Sequence, residues 1–577
     1  MKFQWTVRNG AQEQIQQLVQ ELSVSPLVAQ LLHHRGLLDP DSAYNFLNPS
    51  LEDLHDPFLM KDMGRVVERI QTAIRERQRI LIYGDYDVDG ITATVSVKRA
   101  LEMLGASVDF YLPKRLEEGY GIRQEVLERY HAEGCQLAIS VDSGIRAFEP
   151  CARARELGLD FIVTDHHLPD ESLPDAYAIL NPQQEDCGYP DKNLAAAGVV
   201  FKLIQALFDR AGRSQLTPHF LKVAAIGTVA DMVPLTGENR ILVKFGLEGL
   251  AQPRNLGLQA LLSGAGINGE VQLTDVSFKI APRINAVTRM GGGPEVVELF
   301  SVADPVRAHS IVDEMNQKNS QRRIEEQGIL DEIEERVAST PESFQHDFLV
   351  IEGKNWHRGV IGIVASRMVE RFYRPVLVLS VGESDTQGSG RSIPGFHLLQ
   401  ALDQCRDLLT RYGGHAQAVG CSLDKEASQE ERLSELAQRL RAYASSKLSA
   451  EELKPSIQID SVLPIEDLSL SLLREIQQLE PFGLGNPVPV FASEKVDVVA
   501  GPRVLKDKHL KLRVQGNRSG LDAIWWKNGQ VADGINHGSQ VDLAYVLSRD
   551  TYQGTEKLLL TIQDLRVCPT TTPTERA

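Results

Sequence analysis

The sequence predicts an α/β protein built on a doubly wound parallel sheet, and two observations support this fold class. Short apolar runs at 79–84, 137–141 and 161–164 alternate with helix-compatible stretches between about 65 and 235. This alternation is typical of buried parallel strands joined by crossover helices. The three runs lead into Asp85, Asp142 and Asp165. Because ligands bind beyond the carboxyl ends of the strands in such sheets, we expect these carboxylates to meet at one sheet edge.

The elements around the first strand follow from periodicity and from chain-breaking residues. Residues 1 to about 55 carry helical periodicity, which predicts a small helical N-terminal region over 1–64 without chemistry. The helix after Gly90 is expected to end at Gly105, since glycine is favoured just after a helix. A strand over 108–112 follows, and Pro113 stops it.

The second half of the chain predicts three further elements. The polar stretch 303–338 has few helix breakers and predicts a connector helix. A second α/β region follows over about 346–445 and opens with a strand at 348–351. From about 455 the pattern changes to short alternating strands, which predict a small β-barrel or sandwich. These strands are expected at 495–499, 510–514, 541–546 and 557–562, and the tail 568–577 is predicted to be disordered.

Composition excludes some classes of protein. A net charge of −17 argues against a uniformly basic protein that coats nucleic acid, although it does not exclude a local basic groove. The six cysteines form no C-x-x-C pair and are expected to be reduced. The N-terminus lacks the apolar stretch of a signal peptide, and no run of 18 apolar residues predicts a membrane span. We expect a cytoplasmic protein.

The acidic clusters predict a two-metal site. Three carboxylates within 85–89 repel one another at close range, so a fold that buries them needs compensating cations. The alternative for this segment alone is a solvated acidic turn that caps a helix. Carboxylates with an imidazole suit Mn²⁺ or Mg²⁺, the imidazole favours Mn²⁺, and the lack of thiolates disfavours structural zinc. The candidate ligands are Asp85, Asp87, Asp89, Asp142, His166 and Asp231.

These motifs resemble those of a known family. The segments 84–90 (GDYDVDG), 141–144 (VDSG), 164–167 (TDHH) and 227–234 (GTVADMVP) resemble the four motifs of the DHH phosphoesterase superfamily. Further on, 388–392 (GSGRS) and 413–420 (GGHAQAVG) resemble its DHHA1 companion domain. The segment 481–487 (PFGLGNP) and the β-rich C-terminus resemble the RecJ branch, the 5′→3′ exonucleases specific for single-stranded DNA. The resemblance spans about 65–565 and keeps the family order of motifs.

The resemblance implies a domain order and an activity. The expected domains are a DHH domain over 65–312, a connector helix over 313–345, a DHHA1 domain over 346–450 and an OB-like domain over 455–567. The expected activity is hydrolysis of single-stranded DNA to 5′-mononucleotides by two-metal activation of water, in DNA repair and recombination. Deletion of about 455–577 is expected to weaken affinity for long strands and to spare cleavage of short ones.

The resemblance also implies roles for the motif residues. Asp85, Asp87, Asp142 and one DHH histidine would serve the two ions, with Asp142 a candidate bridge. Asp89, His166 and Asp231 would complete the set of ligands. Asp165 would orient His166, since metal-binding histidines usually donate their other N–H to a carboxylate. His167 would face the scissile phosphate, so His167, Asp142 and Asp165 are the candidate catalytic residues.

A 5′-end nuclease also needs residues that recognise the terminus. Arginine pairs phosphate oxygens in a bidentate manner, although a single arginine can equally form a surface ion pair. The candidates for 5′-phosphate and nucleic-acid binding are Arg115, Arg289, Ser389, Arg391 and His415. The sequence departs from the family before Arg289, because Val287 and Thr288 replace the usual Ala-Gly. This departure puts the local backbone path, and hence the reach of Arg289, in question.

The C-terminal β region offers candidates for single-strand stacking. Trp525 and Trp526 accompany lysines and an arginine between 506 and 513, and aromatic and basic residues on a small barrel suit single-strand binding. The alternative is one core tryptophan with ordinary surface lysines. The RecJ resemblance favours the OB-fold.

Two other functions compete with the exonuclease. One is a small-molecule phosphoesterase, but the smaller enzymes of this superfamily lack the β-rich C-terminal domain. The other is a DNA-binding scaffold with a decayed site, which the complete set of acidic and histidine residues disfavours. The expected partners are single-stranded DNA, a helicase and a single-strand-binding protein, with no membrane, and we expect a monomer. The sequence does not fix the metal, the processivity or activity on RNA.

Overall fold

The computed structural model describes residues 3–114, 118–119, 121–424, 429–516, 520–550 and 555–569. The chain divides into two compact units. The first combines 1–53, 234–237 and 455–577, and the second combines 54–233 and 238–454. Among the residues described, no helix has both the length and the apolar character needed to cross a bilayer. All six cysteines are free thiols.

The N-terminal segment is helical, as predicted, but it begins with a strand that the periodicity did not indicate. Ser25 and Asp39 cap the second and third helices by accepting from backbone N–H groups three residues on, and each is followed by a proline at the first helical position. The elements are β1 (Gln4–Val7), α1 (Gln12–Leu22), α2 (Pro26–His33) and α3 (Pro40–Leu47).

The second unit opens with the predicted parallel sheet. Its strand order is β3-β2-β4-β5-β6, and every neighbouring pair is parallel. The chain leaves β2 in one direction to form β3 and in the other to form β4, so the switch point lies between β2 and β4. The elements are α4 (Met63–Arg75), β2 (Arg79–Tyr83), α5 (Val88–Met103), β3 (Ser107–Tyr111), α6 (Gln124–Ala132), β4 (Cys135–Val141), α7 (Phe148–Leu157), β5 (Asp160–Thr164) and β6 (Ala178–Leu180).

A helical layer follows the sheet and ends in the long helix that the polar stretch 303–338 predicts. Gly227 lets α9 pack closely on α5, since a β-carbon there would lie 2.3 Å from the Thr92 hydroxyl. The helices are α8 (Ala196–Arg210), α9 (Leu221–Ala230), α10 (Gly237–Leu250), α11 (Leu256–Gly264), α12 (Leu273–Asp275), α13 (Ala281–Arg289), α14 (Pro294–Leu299) and α15 (Pro305–Ser339).

The second α/β region of this unit is a mixed sheet of order β10-β11-β9-β8-β7. Strands β7 and β8 are parallel, and the other pairs are antiparallel. The elements are β7 (Leu349–Lys354), α16 (Ile361–Phe372), β8 (Val376–Val381), β9 (Asp385–Arg391), α17 (Leu398–Asp403), β10 (Arg411–Gly414), β11 (Ala418–Asp424) and α18 (Gln429–Lys447).

The C-terminal region forms a closed barrel, because β14 pairs with both β15 and β17 while β16 and β18 complete the ring. The sequence predicted four of these strands and missed β16. The tail residues 570–577, for which we predicted disorder, lie outside the described residues. The elements are β12 (Ser456–Ile459), β13 (Ser461–Val462), α19 (Leu470–Gln477), β14 (Phe491–Leu505), β15 (His509–Val514), β16 (Leu521–Trp525), β17 (Gln540–Asp550) and β18 (Lys557–Val567).

The N-terminal segment and the barrel share one core, although several hundred residues separate them in the chain. Strand β1 pairs in parallel with β12. Leu18 and Leu31 are fully buried in the same hydrophobic cluster as Phe491 and Tyr545 of the barrel. Burial of such side chains contributes about 1.5–3 kcal/mol each, so the two segments stabilise each other.

Candidate metal centre

The carboxyl ends of three adjacent strands bring the acidic motifs together. Asp85 follows β2, Asp142 follows β4 and Asp165 follows β5. The potential ligand atoms form three groups, and within each group the atoms lie within 4.8 Å of one another. The groups are Asp85 with Asp87 and Asp142, Asp89 with His166 and Asp231, and Asp142 with Asp165, His166 and His167.

Asp142 is a buried residue with a strained backbone. Its side chain is almost fully enclosed, and its φ of 64° lies in the left-handed region that non-glycine residues rarely adopt. Its N–H donates to the Thr164 carbonyl at 3.0 Å, which fixes the turn at the end of β4. Strain of this kind persists where the surrounding structure enforces it, most often at functional sites.

The acidic segment 85–89 caps a helix, as the alternative interpretation predicted, and its carboxylates also lie in the acidic cluster. Asp87 is the N-cap of α5, and its Oδ1 accepts from the Gly90 N–H at 3.0 Å. Asp89 is buried, and its two oxygens accept from the N–H groups of Ala196 and Ala197 at 2.7 and 2.9 Å. The N-terminus of α8 therefore holds the Asp89 carboxylate.

His166 has the chemistry of a neutral metal ligand. Its Nε2 lies 3.2 Å from Asp142 Oδ1 and 3.7 Å from Asp231 Oδ2. This buried nitrogen makes no hydrogen bond to any described residue. Burial lowers the pKa of His166 to about 4, helped by the charge of His167. The imidazole is therefore neutral at physiological pH, with a lone pair directed at the carboxylates.

The electrostatics of the carboxylates call for cations. Burial, followed by repulsion from Asp87, raises the pKa of Asp89 to about 7. Burial and the charge of Asp89 raise the pKa of Asp231 to about 9. Burial and the surrounding carboxylates likewise raise the pKa of Asp142 well above its ordinary value. Such a cluster ionises at neutral pH only when positive charge compensates it, so a donor set of carboxylate oxygens and one imidazole fits divalent metal ions.

Asp165 contacts a different histidine from the one that we expected. We expected it to orient His166, but its Oδ1 lies 2.7 Å from Nδ1 of His167. The same oxygen accepts the backbone N–H of both histidines, and Oδ2 accepts the Ile145 N–H at 3.0 Å. Because the chain turns around the Asp165 carboxylate, the His167 ring folds back onto it. The His166 ring points away, toward the acidic cluster.

The Asp165 contact controls the charge of His167. Burial alone would lower the pKa of His167, but the hydrogen bond and the charge of Asp165 outweigh burial and raise it to about 9. The His167 ring is one-third exposed, and it lines a cavity of about 540 Å³ together with His415. His415 thus faces His167, as a substrate-contacting residue would.

Arg146 lines the same cavity and was missed by sequence analysis. It forms an ion pair with Asp170 at 3.0 Å. Burial, then the charge of Arg146, lowers the pKa of His415. The only feature of the sequence that pointed to Arg146 was its position two residues after the 141–144 motif.

Three of the candidate phosphate-binding residues surround the start of α16. Arg289 Nη1 donates to the Gly359 carbonyl at 2.6 Å. Arg391 Nη1 lies 3.3 Å from the Ser389 hydroxyl. A β-carbon at Gly362 would lie 2.9 Å from Ser389 Oγ and 3.3 Å from Arg391 Nη2, so a larger residue there would displace these two groups. Sequence analysis did not identify Gly359 or Gly362.

Val287 and Thr288, which replace the Ala-Gly usual in the family, lie in a regular helix. Both residues are buried within α13, and the Thr288 hydroxyl donates to the Asn285 carbonyl at 3.2 Å. Arg289 is the last residue of that helix. Arg115 lies outside the described residues.

The two tryptophans of the barrel differ in exposure. Trp525 ends β16 and packs partly against the barrel core. Trp526 is half exposed, and its ring packs edge-on against His509 at 4.9 Å between ring centroids. Trp526 is therefore the better placed of the two to contact a ligand.

Family models match the chain in three segments. The DHH family N-terminal domain matches 79–228, the DHHA1 domain matches 345–446 and the RecJ OB domain matches 459–564. These matches define the class of protein, a DHH phosphoesterase with a DHHA1 domain and an OB-fold.

Individual relatives narrow this class. The single-stranded-DNA-specific exonuclease RecJ of Bacillus subtilis is 38% identical over 571 residues, covering 98% of this chain and 71% of the relative. The crystal structure of RecJ from Thermus thermophilus in complex with Mn²⁺ is 31% identical, with a TM-score of 0.83 over 98% of this chain and 79% of that one. The Mg²⁺ complex of the same protein is 29% identical, with a TM-score of 0.77 over 98% and 78%. The chain belongs to the RecJ family, which confirms the resemblance drawn from the motifs.

Proposed function

We propose that this chain is a metal-dependent 5′→3′ exonuclease that hydrolyses single-stranded DNA to 5′-mononucleotides, in DNA repair and recombination. The observation that carries this proposal is the buried cluster of carboxylates and one neutral imidazole at the sheet edge, next to a cavity lined by His167 and His415. Membership of the RecJ family supports the substrate.

The metal ligands proposed are those that the sheet edge brings together. Asp142 belongs to two of the three groups of ligand atoms and is the candidate bridge between two ions of Mn²⁺ or Mg²⁺. When bound, two such ions lower the pKa of a water molecule and neutralise negative charge on the phosphodiester. Asp89 also positions the cluster, because both of its oxygens are held by α8. The full set is Asp85, Asp87, Asp89, Asp142, His166 and Asp231.

His167 and Asp165 act together on the substrate. With a pKa of about 9, His167 carries a proton on both ring nitrogens at neutral pH. Asp165 holds Nδ1–H, and we propose that Nε2–H donates to a phosphate oxygen as negative charge develops there. Asp165 fixes both the orientation and the charge of the ring, and it is a positioning residue.

The direction of digestion follows from a pocket for a terminal phosphate. Arg289, Ser389 and Arg391 surround residues 359–362 at the start of α16, and two guanidinium groups beside a hydroxyl suit a phosphate. Capture of a terminal 5′-phosphate there would set the 5′→3′ direction. Arg115 is assigned to this pocket from the family motif alone, and Arg146 adds a positive charge beside His415.

The barrel supplies a second contact for the strand. Trp526 and the lysines of β15 and its preceding turn suit stacking and phosphate contacts. Trp525 is the weaker candidate, because its ring packs partly in the core. A monomer that works with a helicase and a single-strand-binding protein completes the proposal.

One assay tests this function. A 5′-labelled single strand, its duplex and its RNA equivalent are incubated with Mn²⁺ and, in parallel, with EDTA. We expect release of mononucleotides from the DNA single strand with Mn²⁺ only. Digestion of blunt duplex without a helicase, or release of mononucleotides in EDTA, would contradict the proposal.

A further inference from the structure

A second cavity lies at the far ends of two helices that begin or end in the acidic cluster. It has a volume of about 740 Å³ and is formed by the second half of α5, the start of α9, the segment between α10 and α11, and the end of α14. Along α5, Arg99 lies ten residues beyond Asp89, which corresponds to about 15 Å. Binding in this cavity is therefore distinct from binding at the metal centre.

The floor of the cavity is apolar. Val95, Phe220, Leu258, Val297 and Phe300 line it, and all five are buried. A volume of this size with a mostly apolar lining and a few polar groups is characteristic of sites for small organic ligands.

Cations dominate the charged lining. Lys98 is neutralised by Glu102, whose Oε1 lies 2.5 Å from its Nζ. Three further cations, Arg99, Lys222 and Arg254, form no ion pair with any residue that the structure describes, and the remaining carboxylate is that of the exposed Glu248. An excess of positive charge is notable in a chain whose net charge is −17.

Two polar groups of the cavity wall, Ser96 and Lys222, are in positions that a bound ligand would stabilise. Ser96 is 3% exposed, and its Oγ makes no hydrogen bond within the described part of the chain. The Lys222 side chain extends over Gly249, where a β-carbon would lie 3.0 Å from its Cγ and 3.7 Å from its Nζ. Burial, then repulsion from Arg254, lowers the pKa of Lys222. A bound anion would relieve that repulsion, and a ligand hydroxyl or ring nitrogen would satisfy Ser96.

We propose that this cavity is a second nucleotide-binding site, separate from the metal centre. The phosphate would contact Arg99, Lys222 and Arg254, and the flat heterocycle would lie on the apolar floor with Ser96 at its edge. A nucleotide is the class that needs a cluster of cations, a flat apolar surface and an isolated polar contact together. A fatty acid would use the floor and one cation, and it would leave the other cations and Ser96 without a partner.

Hydrogen exchange of the full chain in EDTA tests this assignment. The probes are deoxyadenosine 5′-monophosphate, deoxyadenosine, inorganic phosphate and decanoate. We expect the monophosphate to protect backbone amides over 95–103, 219–223 and 249–255, and to do so more strongly than the other three probes. Protection confined to the segments around 85–89 and 165–167 would place binding only at the metal centre and overturn the proposal. Stronger protection by decanoate would assign the cavity to an amphiphilic acid and would overturn it as well.

Variants make the test specific. Lys222→Ala combined with Arg254→Ala should weaken binding of the monophosphate by about tenfold or more, since two charge-assisted contacts are lost. Gly249→Leu should abolish binding by filling the cavity, and thermal unfolding would verify that both variants fold. Lys244→Ala, on α10 outside the lining, is the matched control. Unchanged affinity in the double variant and in Gly249→Leu would refute the site.

Discussion

Replacement of Asp142 by asparagine should separate the catalytic and the structural consequences of the acidic cluster. The asparagine amide keeps the size of the side chain but removes its negative charge. It also removes one oxygen of a residue that belongs to two of the three groups of potential ligand atoms. We expect exonuclease turnover with Mn²⁺ to fall by about 100-fold or more, the range seen when one preorganised stabilising group is lost. Affinity for single-stranded DNA in EDTA should change little, because it draws on many phosphate contacts.

The same change should stabilise the metal-free protein. The pKa of Asp89 rises from 3.8 to about 7 in this cluster, a penalty of about 4 kcal/mol once the group ionises. Asp142 suffers burial and repulsion from four carboxylates, so its neutral replacement should make the metal-free protein more stable at pH 8. Because these pKa values are raised, the folded chain binds more protons than the unfolded chain above pH 3.8. Wild-type stability in EDTA therefore falls as the pH rises toward the raised values.

Urea unfolding and a gel assay of nucleotide release measure both effects. In EDTA, Asp142→Asn should be more stable than wild type, with a larger difference at pH 8 than at pH 6. With Mn²⁺ the order should reverse, since the metal stabilises only the protein that binds it tightly. Asp186→Asn, which removes an exposed partner of Lys61, is the control and should match wild type in activity. Near-normal turnover of Asp142→Asn with Mn²⁺, or the same order of stability with and without metal, would refute the assignment.

Three further predictions concern the substrate. Arg391→Ala should reduce the preference for a 5′-phosphorylated strand over an unphosphorylated one by about tenfold, measured as the ratio of kcat/KM values; an unchanged ratio removes Arg391 from the pocket. Asp165→Asn should lower kcat more than it raises KM. The loss of activity at alkaline pH should begin at a lower pH than in wild type, because His167 would lose the carboxylate that raises its pKa. An unchanged alkaline side of the pH profile would argue against the pairing of Asp165 with His167. Activity should fall steeply with salt and be indifferent to DNA sequence, since the contacts are to phosphates, which carry no sequence information. It should also stop at duplex junctions, because the cleft admits one strand. Efficient digestion of blunt duplex would contradict a single-strand cleft.

The structure changes how the C-terminal barrel can be tested. We expected that deletion of about 455–577 would spare cleavage of short strands. Leu18 and Leu31 of the N-terminal helices are buried in the barrel core, so that deletion would expose an apolar surface on 1–53. Point changes on the barrel surface, such as Trp526→Ala, avoid this problem, and they should weaken affinity for long strands with little effect on short ones.

The sequence by itself determined the parallel sheet, the long polar helix and the residues of the acidic cluster. Apolar runs and their spacing are local properties, and each strand carries its functional residue directly at its carboxyl end, as with Asp85 after β2. Because parallel strands share one edge for their carboxyl ends, adjacency in the sheet followed from the fold class alone. Neither the domain limits nor the role of each ligand follows from this pattern, and both stay predictions.

Tertiary structure decided the features that depend on residues far apart in the chain. Asp165 bonds to His167 rather than to the His166 ring because the turn after β5 wraps around its carboxylate. Arg289 reaches Gly359 from a distant part of the chain, and no local pattern marks that contact. Strand β16, which the sequence did not predict, lies between β15 and β18, and its parallel partner β18 is distant in the chain. The shared core of the N-terminal helices and the barrel arises in the same way: apolar periodicity shows which face is buried, and only the folded chain shows what buries it.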